Sequence, residues 1–310
     1  MQTDSREVRI GLLSAVTAHL LWGVFPIFWR QLGDFDAMQV VCHRVLWSFV
    51  TLAIYLPFMW RGFDVDTRQK LKASVQTKKI WLIYAAAAGL IAVNWLTFIW
   101  AVNHDRVLEA SLGYYINPLL NVLLGVVILR ERLGTVQWLA VAIAAIGVAY
   151  MTISIGSLPW IALLLSTSFA TYALLKKQMR GVGPIESLAV EVTLVLLPAL
   201  IYLTILGRGG EGAFGADGAR VTILLILTGV ATALPLLLFG AAARLIKLST
   251  IGLLQYIAPS LQFLIGVFVY GEVVGRDRLI GFVLVWFALA IYTGHGLARL
   301  RRGEPQPLAV

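Results

Sequence analysis

The amino-acid sequence predicts an all-α integral membrane protein of about ten transmembrane helices, arranged as two inverted five-helix repeats. Hydrophobic residues make up 59% of the chain and charged residues 13%, whereas soluble domains average about 45–50% and about 25%. Apolar runs of about twenty residues, enough to cross roughly 30 Å of hydrocarbon, recur along nearly the whole chain. One part of the chain also repeats another at a fixed spacing.

The apolar runs are separated by charged segments or by segments rich in glycine and proline. In lipid they are expected to be helices, because an open sheet edge would leave backbone groups without hydrogen bonds. The predicted spans are 10–29, 38–60, 80–103, 108–129, 136–153, 158–175, 184–206, 221–243, 249–270 and 278–297.

The basic residues predict the orientation of the chain. An even number of spans places both termini on one side, and the segments of that side hold 18 of the 25 lysines and arginines, against six on the other. The side rich in lysine and arginine is the cytoplasmic one, so both termini, including a tail at 299–310, are predicted to be cytoplasmic. The net charge of +9 therefore reflects orientation. It does not indicate a nucleic-acid partner, because no aromatic residues interleave with the basic ones on a polar face.

An internal repeat is the most informative feature. Shifting the chain by 141 residues aligns 96–131 with 237–272 without a gap and gives 12 identities in 36 positions, among them a shared Tyr-Ile-x-Pro. This predicts one repeat at 1–153 and another at 154–298. Because five spans is an odd number, the second repeat enters the membrane from the opposite side, as in many carriers.

Both copies of the duplicated helix carry a polar residue, a proline and a second polar residue at i, i+4 and i+7, which share a helical face. These residues are Tyr114, Pro118 and Asn121 in one copy, and Gln255, Pro259 and Gln262 in the other. A proline inside a span frees a carbonyl and amides in lipid need partners, so each stripe faces either a central solute cavity or a neighbouring helix. We favour the cavity and predict the four polar side chains as binding residues.

Arg44 and Glu191 are ionisable residues well inside predicted spans. Arg44 lies about six residues into the second span, and a weaker alignment matches it with Glu191 in the seventh. Such residues usually mark a substrate or ion path, although either side chain could instead snorkel to the membrane surface. We predict that both side chains contact the solute. Glu191 would bind a cationic group or relay protons.

The first span carries His19 and Trp22 on one face. Trp22 is predicted to form an apolar cavity wall, and His19, like Glu191, is a candidate for proton coupling. The alternative for His19 is a hydrogen-bonded packing role. Glu131 and Glu272 end their helices at equivalent positions and are expected to cap the turn that follows each of them.

Several kinds of chemistry are not indicated. The lone Cys42 cannot form a disulfide within the chain, the four histidines lack metal-ligand spacing, and no HExxH, GxSxG, P-loop or CxxC pattern occurs. We therefore expect no metal, no cofactor and no enzymatic activity, and an ion or solute gradient as the driving force. The alternatives are a membrane-embedded lipid-handling enzyme, and a sensor or scaffold that does not transport.

A resemblance to a known family lies in five segments: LLWGVFPIFW, HRVLWS, NWLTFIWAVN, EASLGYYINPLLNVLLGVVILRERL and QWLAVAIAAIGV. They resemble the RarD-type permeases of the EamA group, in the drug/metabolite transporter superfamily, over residues ~10 to 297. The resemblance implies two EamA-like repeats, a location in the bacterial inner membrane, and permease activity, with export as one direction. The partners expected are a small polar or amphipathic metabolite or drug and the lipid bilayer.

Overall fold

The computed structural model describes residues 5–33, 35–62, 78–104, 106–154, 159–179, 183–271 and 275–301, which contain helices and turns but no strand. The helices are α1 (Ser5–Trp29), α2 (Ala37–Gly62), α3 (Lys78–Asn103), α4 (Val107–Val127), α5 (Thr135–Ser154), α6 (Trp160–Gln178), α7 (Pro184–Arg208), α8 (Gly218–Leu245), α9 (Leu248–Gln255), α10 (Ile257–Phe268) and α11 (Arg276–Arg301). The all-helical prediction is confirmed.

Each predicted span lies on a helix, with α9 and α10 together forming the ninth. Within the described ranges, seven helical segments are long and apolar enough to cross a membrane. Two shorter apolar helices, Leu112–Val127 and Leu279–His295, lie in α4 and α11. The remaining predicted span is α6, which carries three adjacent hydroxyl residues and has Lys176 and Lys177 in its last turn.

The outer surface is apolar. Leu82, Ile153 and Phe268 are 70%, 78% and 80% exposed, whereas His19 and Asn121 are completely buried. A water-soluble protein distributes such residues the other way round, and a bilayer accounts for the reversal because hydrocarbon can cover the exposed side chains.

Helices α1–α5 form the first half of the chain and helices α6–α11 the second half, and the helices of each half pack mainly on helices of the other. Helix α1 lies against α8 and α10, and α6 lies in the corresponding way against α3 and α4. Helix α2 contacts α7 and α8, α7 also contacts α3, α4 contacts α9, and α5 contacts α11. The main core, which includes Tyr84, Tyr172 and Phe239, therefore lies between the two halves.

A break separates α9 from α10 at Tyr256. Pro259 has no amide hydrogen to donate to the carbonyl of Gln255, four residues earlier, so one helical bond is missing there. The amide of Tyr256 instead donates to the Leu253 carbonyl at 3.4 Å, in a tighter turn. Helix α4 has Pro118 at the equivalent position and yet runs unbroken. Sequence reasoning treated the two segments alike and did not predict this difference.

Candidate functional site

A cavity of about 590 Å³ lies between the two halves. It extends from the buried His19 in the middle of α1 to the exposed Arg30 and Gly33 just beyond the end of that helix. It therefore opens at the end of the molecule where α1 ends and α2 begins. Its volume falls within the roughly 300–1,000 Å³ of small-molecule pockets.

Most of the residues predicted to bind a solute line this cavity. Those that do are Trp22, Arg44, Tyr114, Gln255 and Gln262, together with His19, the candidate for proton coupling. Asn121 lies one layer behind the wall, and Glu191 lies away from the cavity in a separate buried cluster.

Arg44 projects from α2 into an aromatic setting. Its Nε donates to Thr232 Oγ1 at 3.0 Å, and its guanidinium carbon lies 4.8 Å from the Trp29 ring centroid and 5.1 Å from that of Trp95. Among the described residues, no carboxylate forms an ion pair with it. The charge is therefore held by one hydroxyl group and two ring faces, an attractive arrangement for a cation.

An amide cluster joins the two halves behind the cavity wall. The Asn121 amide nitrogen donates to Gln255 Oε1 at 2.7 Å and to Asn117 Oδ1 at 3.1 Å. Asn117 and Gln255 line the cavity. Gly252 allows this approach, since a Cβ there would lie 2.5 Å from the Pro118 carbonyl oxygen. Asn121 thus bonds to a neighbouring helix and, through the same bonds, positions two residues of the cavity wall. The polar stripe therefore faces both a helix and the cavity.

Gln262 has a similar double position. Pro26 in α1 leaves the Trp22 carbonyl without its helical donor, and Gln262 Nε2 donates to that carbonyl at 3.1 Å. The side chain therefore lines the cavity and also links α10 to α1. Tyr114 is 42% exposed and also lines the cavity.

An aromatic cluster forms the deep end of the cavity. The Trp22 ring packs edge-on against Phe169, with centroids 5.9 Å apart, and against His19 at 5.4 Å. His19 Nδ1 lies 2.6 Å from the Ala15 carbonyl, to which it must donate. In a neutral imidazole Nε2 is then an acceptor, and it has no hydrogen-bond partner among the described residues.

Glu191 belongs to a buried cluster near the start of α7. Its carboxylate lies 2.6 Å from Lys176 Nζ and accepts hydrogen bonds from Ser187 at 3.0 Å and Tyr172 at 3.1 Å. Lys176 and Glu191 are 1% and 2% exposed. Lys176 is one of the 18 basic residues that the predicted topology assigns to cytoplasmic segments, but it lies in the last turn of α6 and neutralises this carboxylate.

The end of the molecule opposite the cavity mouth is closed by Glu131. On α4 the cavity residues lie in the first half, and Glu131 follows the last turn. Its carboxylate accepts hydrogen bonds from the backbone amides of Leu248 at 2.7 Å and Ser249 at 2.9 Å, and from the Ser249 hydroxyl at 2.6 Å. The expectation that it caps the turn after its own helix is wrong, because it caps α9 of the other half. Glu272 lies outside the described residues.

Two lysines add to this closed end. Lys177 Nζ lies 4.0 Å from Glu131 Oε1 and donates to the Ile246 carbonyl. Lys247 Nζ donates to the Arg132 carbonyl at 3.1 Å. Both lysines are at most 8% exposed. Lys247 thus binds the backbone of the other half, and Lys177 lies beside the Glu131 carboxylate of the other half.

Sequence reasoning missed several cavity residues. Trp29 follows Trp22 at the i+7 spacing of a shared helical face, and this spacing could have identified it. Trp95 lies next to Asn94, a polar residue inside an apolar span that also lines the cavity. Thr232 had no such signal, because a threonine in an apolar span normally bonds to its own helix.

Comparisons with known proteins give a consistent result. Residues 9–153 match the model of the EamA-like transporter family. The chain is 44% identical over 300 residues to an uncharacterized transporter of Vibrio cholerae, covering 96% of each chain. It is 43% identical over 298 residues to a protein RarD of Streptomyces exfoliatus, covering 96% of this chain and 92% of that protein.

A known crystal structure shares the fold. It superimposes with a TM-score of 0.68 at 18% sequence identity and covers 92% of this chain and 97% of the other. At this identity the likeness concerns the fold alone, and it extends over both halves of the chain.

Proposed function

Because the chain belongs to the EamA-like transporter family as a RarD-type permease, we propose that it carries a small polar or amphipathic metabolite or drug across the bacterial inner membrane by alternating access. Membrane transport follows from the family, and the mechanism is our proposal. The observation that carries it is the cavity between the two halves, whose described lining reaches the exposed Arg30 and Gly33 at the end where α1 ends.

Alternating access requires that the open end closes while the closed end opens. The contacts that seal the closed end suit this, because the hydrogen bonds of Glu131 to Leu248 and Ser249 run between halves. Such bonds can break as a set when one half tilts against the other, without unfolding either half. A carrier needs two packings of nearly equal free energy, and polar contacts between otherwise intact helix bundles can provide them.

The proposed inverted repeat provides the second packing. Exchanging the first five helical segments for the second five turns the α1–α8 contact into the α6–α3 contact, and the α1–α10 contact into the α6–α4 contact. The α2–α7, α4–α9 and α5–α11 contacts map onto themselves. This exchange pattern supports repeats at 1–153 and 154–298, related by an axis in the membrane plane. The count of ten spans belongs to the same proposal.

The direction of the opening follows from the proposed topology. With both termini in the cytoplasm, α1 ends at the periplasmic side, so the cavity opens to the periplasm. The excess of basic residues in the connections and tails of one side supports this orientation.

The residues have different proposed roles. Arg44 binds an anionic group, Tyr114 and Gln255 offer neutral hydrogen bonds, and Trp22 forms an apolar wall. Asn121 and Gln262 hold that wall in place through the bonds described above and are close enough to it to affect binding.

Proton coupling is assigned to His19 and Glu191, the two residues that the sequence offered as candidates for it. His19 Nε2 is an acceptor at the deep end of the cavity, where a proton or a solute can reach it. A proton on Glu191 would break the ion pair with Lys176 and loosen α6 from α7, which gives the carboxylate a route to influence the conformation although it does not line the cavity.

The test is uptake into proteoliposomes from a mixed metabolite extract, measured by mass spectrometry with and without a pH gradient. The wild type should accumulate a small set of compounds. The double variant Asn121→Leu/Gln262→Leu should lose them, because both changes remove amides at the cavity wall.

A matched control removes two polar side chains from the outer surface. Thr193 and Thr204 are exposed on α7 and bond only to their own helix, so Thr193→Leu/Thr204→Leu should transport as the wild type does. If the folded wild type accumulates nothing under either condition, the transport proposal fails and a non-transporting sensor or scaffold becomes the better interpretation.

A further inference from the structure

The charge of the cavity lining has one sign. Among the described lining residues, the charged side chains are Arg30 and Arg44, and neither aspartate nor glutamate is present. Arg30 lies at the exposed rim, where its guanidinium carbon is 4.1 Å from the Tyr270 ring centroid. Arg44 lies deeper, so a solute that passes the rim meets a second cation within an apolar enclosure.

The donors of Arg44 are only partly used. Its Nε–H is bound to Thr232, while the four N–H groups of its two terminal nitrogens form no hydrogen bond with the described residues. The two rings beside it, Trp29 and Trp95, supply no acceptor atoms that could form an ion pair. A guanidinium fork matches the two oxygens of a carboxylate, and a partly desolvated charge gains most from a partner of opposite charge.

The rest of the cavity lining is mainly apolar and aromatic, with a few neutral polar side chains: Asn94, Tyr114, Asn117, Thr232, Gln255 and Gln262. Beyond the two tryptophans at Arg44, rings line the cavity from the mouth to the deep end: Trp22, Phe25, Phe35, Phe98 and Phe169. A solute that binds Arg44 through its anionic group therefore places the remainder of its surface against rings. A purely polar anion such as a sugar phosphate would instead place hydroxyl groups against these rings, where they find no hydrogen-bond partner.

Cationic and zwitterionic solutes fit less well. An ammonium group in the cavity would be repelled by Arg44 and would find no carboxylate among the described lining residues. Two tryptophan rings that could otherwise hold a cation, Trp29 and Trp95, already contact the guanidinium of Arg44.

We infer that the solute is an amphipathic organic anion, with its carboxylate on Arg44 and its apolar part against Trp22 and Phe169. This inference rests on the proposed transport function and names the substrate class of the same cavity.

The test compares four probes of nearly equal shape on the purified full chain in lipid nanodiscs: phenylpropionate, phenylpropionamide, phenylpropylamine and phenylalanine. Binding is measured by calorimetry and by quenching of tryptophan fluorescence, so the readout does not depend on transport. Phenylpropionate should bind at least about tenfold more tightly than the other three, as expected for a charge-assisted hydrogen-bonded pair.

Two variants locate the anion site. Arg44→Gln should reduce the affinity for phenylpropionate to that for the amide, and Arg44→Lys should retain an intermediate affinity because it keeps the charge but loses the fork. Arg220→Gln is the matched control, since Arg220 is exposed at the same end and contacts Gln31 outside the cavity. It should leave the affinity unchanged. Size-exclusion profiles establish that each variant is folded.

The inference is overturned if phenylpropionate does not bind, if the amine or the amide binds as tightly, or if folded Arg44→Gln keeps the wild-type preference. If the same protein still accumulates extract solutes in liposomes, the transport proposal survives and only the substrate class is wrong. If neither binding nor accumulation is found, the transport proposal itself fails.

Discussion

The two ends of the molecule differ in how they use their charged residues. At the open end the guanidinium of Arg44 contacts two aromatic rings and one hydroxyl group and forms no ion pair with the described residues. At the closed end Glu131 uses both oxygens on the amides and hydroxyl of the other half, and the nearby Glu191 is neutralised by Lys176. These two carboxylates have their partners within the protein, whereas the Arg44 guanidinium at the open end still has donors to offer.

This difference separates stability from ligand binding. A buried charge with all its partners rigidifies its surroundings, and removing one partner is expensive. A charge with unused donors contributes little to rigidity and is available to a ligand. We therefore expect substitutions at the closed end to change stability most, and substitutions at the cavity to change transport most.

The largest loss of stability is expected for Lys176→Met, because Glu191 would remain buried without its cation. The expected loss is about 3–5 kcal/mol. It can be measured by labelling of Cys42, a buried thiol that becomes reactive on unfolding in detergent. The double variant Lys176→Met/Glu191→Leu should regain most of the loss, and Lys78→Met, at the exposed start of α3, should be neutral. A full loss in the double variant would contradict the ion-pair explanation.

A smaller loss, about 2–3 kcal/mol, is expected for Glu131→Gln, because the amide carries no charge and has only one oxygen to accept hydrogen bonds at the α9 terminus. The same thiol-labelling assay applies, with Glu211→Gln on the exposed surface as its control. Equal stability of the two variants would show that the cap does not hold the closed end.

Gly125→Ala tests the same contact by size. A Cβ at this position would lie 2.7 Å from Glu131 Oε2 and 3.1 Å from the Ser249 nitrogen, so the carboxylate must shift. We expect a loss of about 1–2 kcal/mol. Gly89→Ala on α3 meets nothing within 4 Å and should be neutral or slightly stabilising. If both alanines behave alike, the tight fit around Glu131 is not important.

The smallest change in stability is expected for Gln262→Leu at the open end, about 1 kcal/mol or less, typical of a single hydrogen bond between membrane helices. Uptake into proteoliposomes should nevertheless fall clearly, since the wall loses an amide and the Trp22 carbonyl loses its donor. Thr204→Leu on the lipid-facing side serves as the control for uptake. A destabilisation as large as that of Glu131→Gln would break the distinction between the two ends.

The helical segments could be predicted from the sequence because lipid leaves a chain little choice. Apolar runs of sufficient length become helices, and every predicted span lies on one. The cavity residues Trp22, Arg44, Tyr114, Gln255 and Gln262 could be predicted because polar or aromatic groups in a span need either a partner or a cavity.

The remaining features depend on contacts between distant parts of the chain. Glu131 caps residues 117 and 118 positions away, and no local pattern distinguishes that role from a cap of its own turn. Lys176 ends an apolar run as a topology anchor does, and only the neighbouring α7 shows that it is buried. The break at Tyr256 could not be foreseen either, because the same proline motif in α4 leaves the helix unbroken.

One hydrogen bond acquires a meaning from the alignment of the two halves. The Tyr256 hydroxyl donates to the Tyr115 carbonyl at 3.2 Å, a separation of 141 residues, which is the offset that aligns the two copies. A residue can touch its own counterpart only near the axis that relates the copies. Under the proposed repeat, this pair is then a fulcrum. The halves can exchange their tilts about this contact while it stays in place, and the open and the closed end then move by similar amounts.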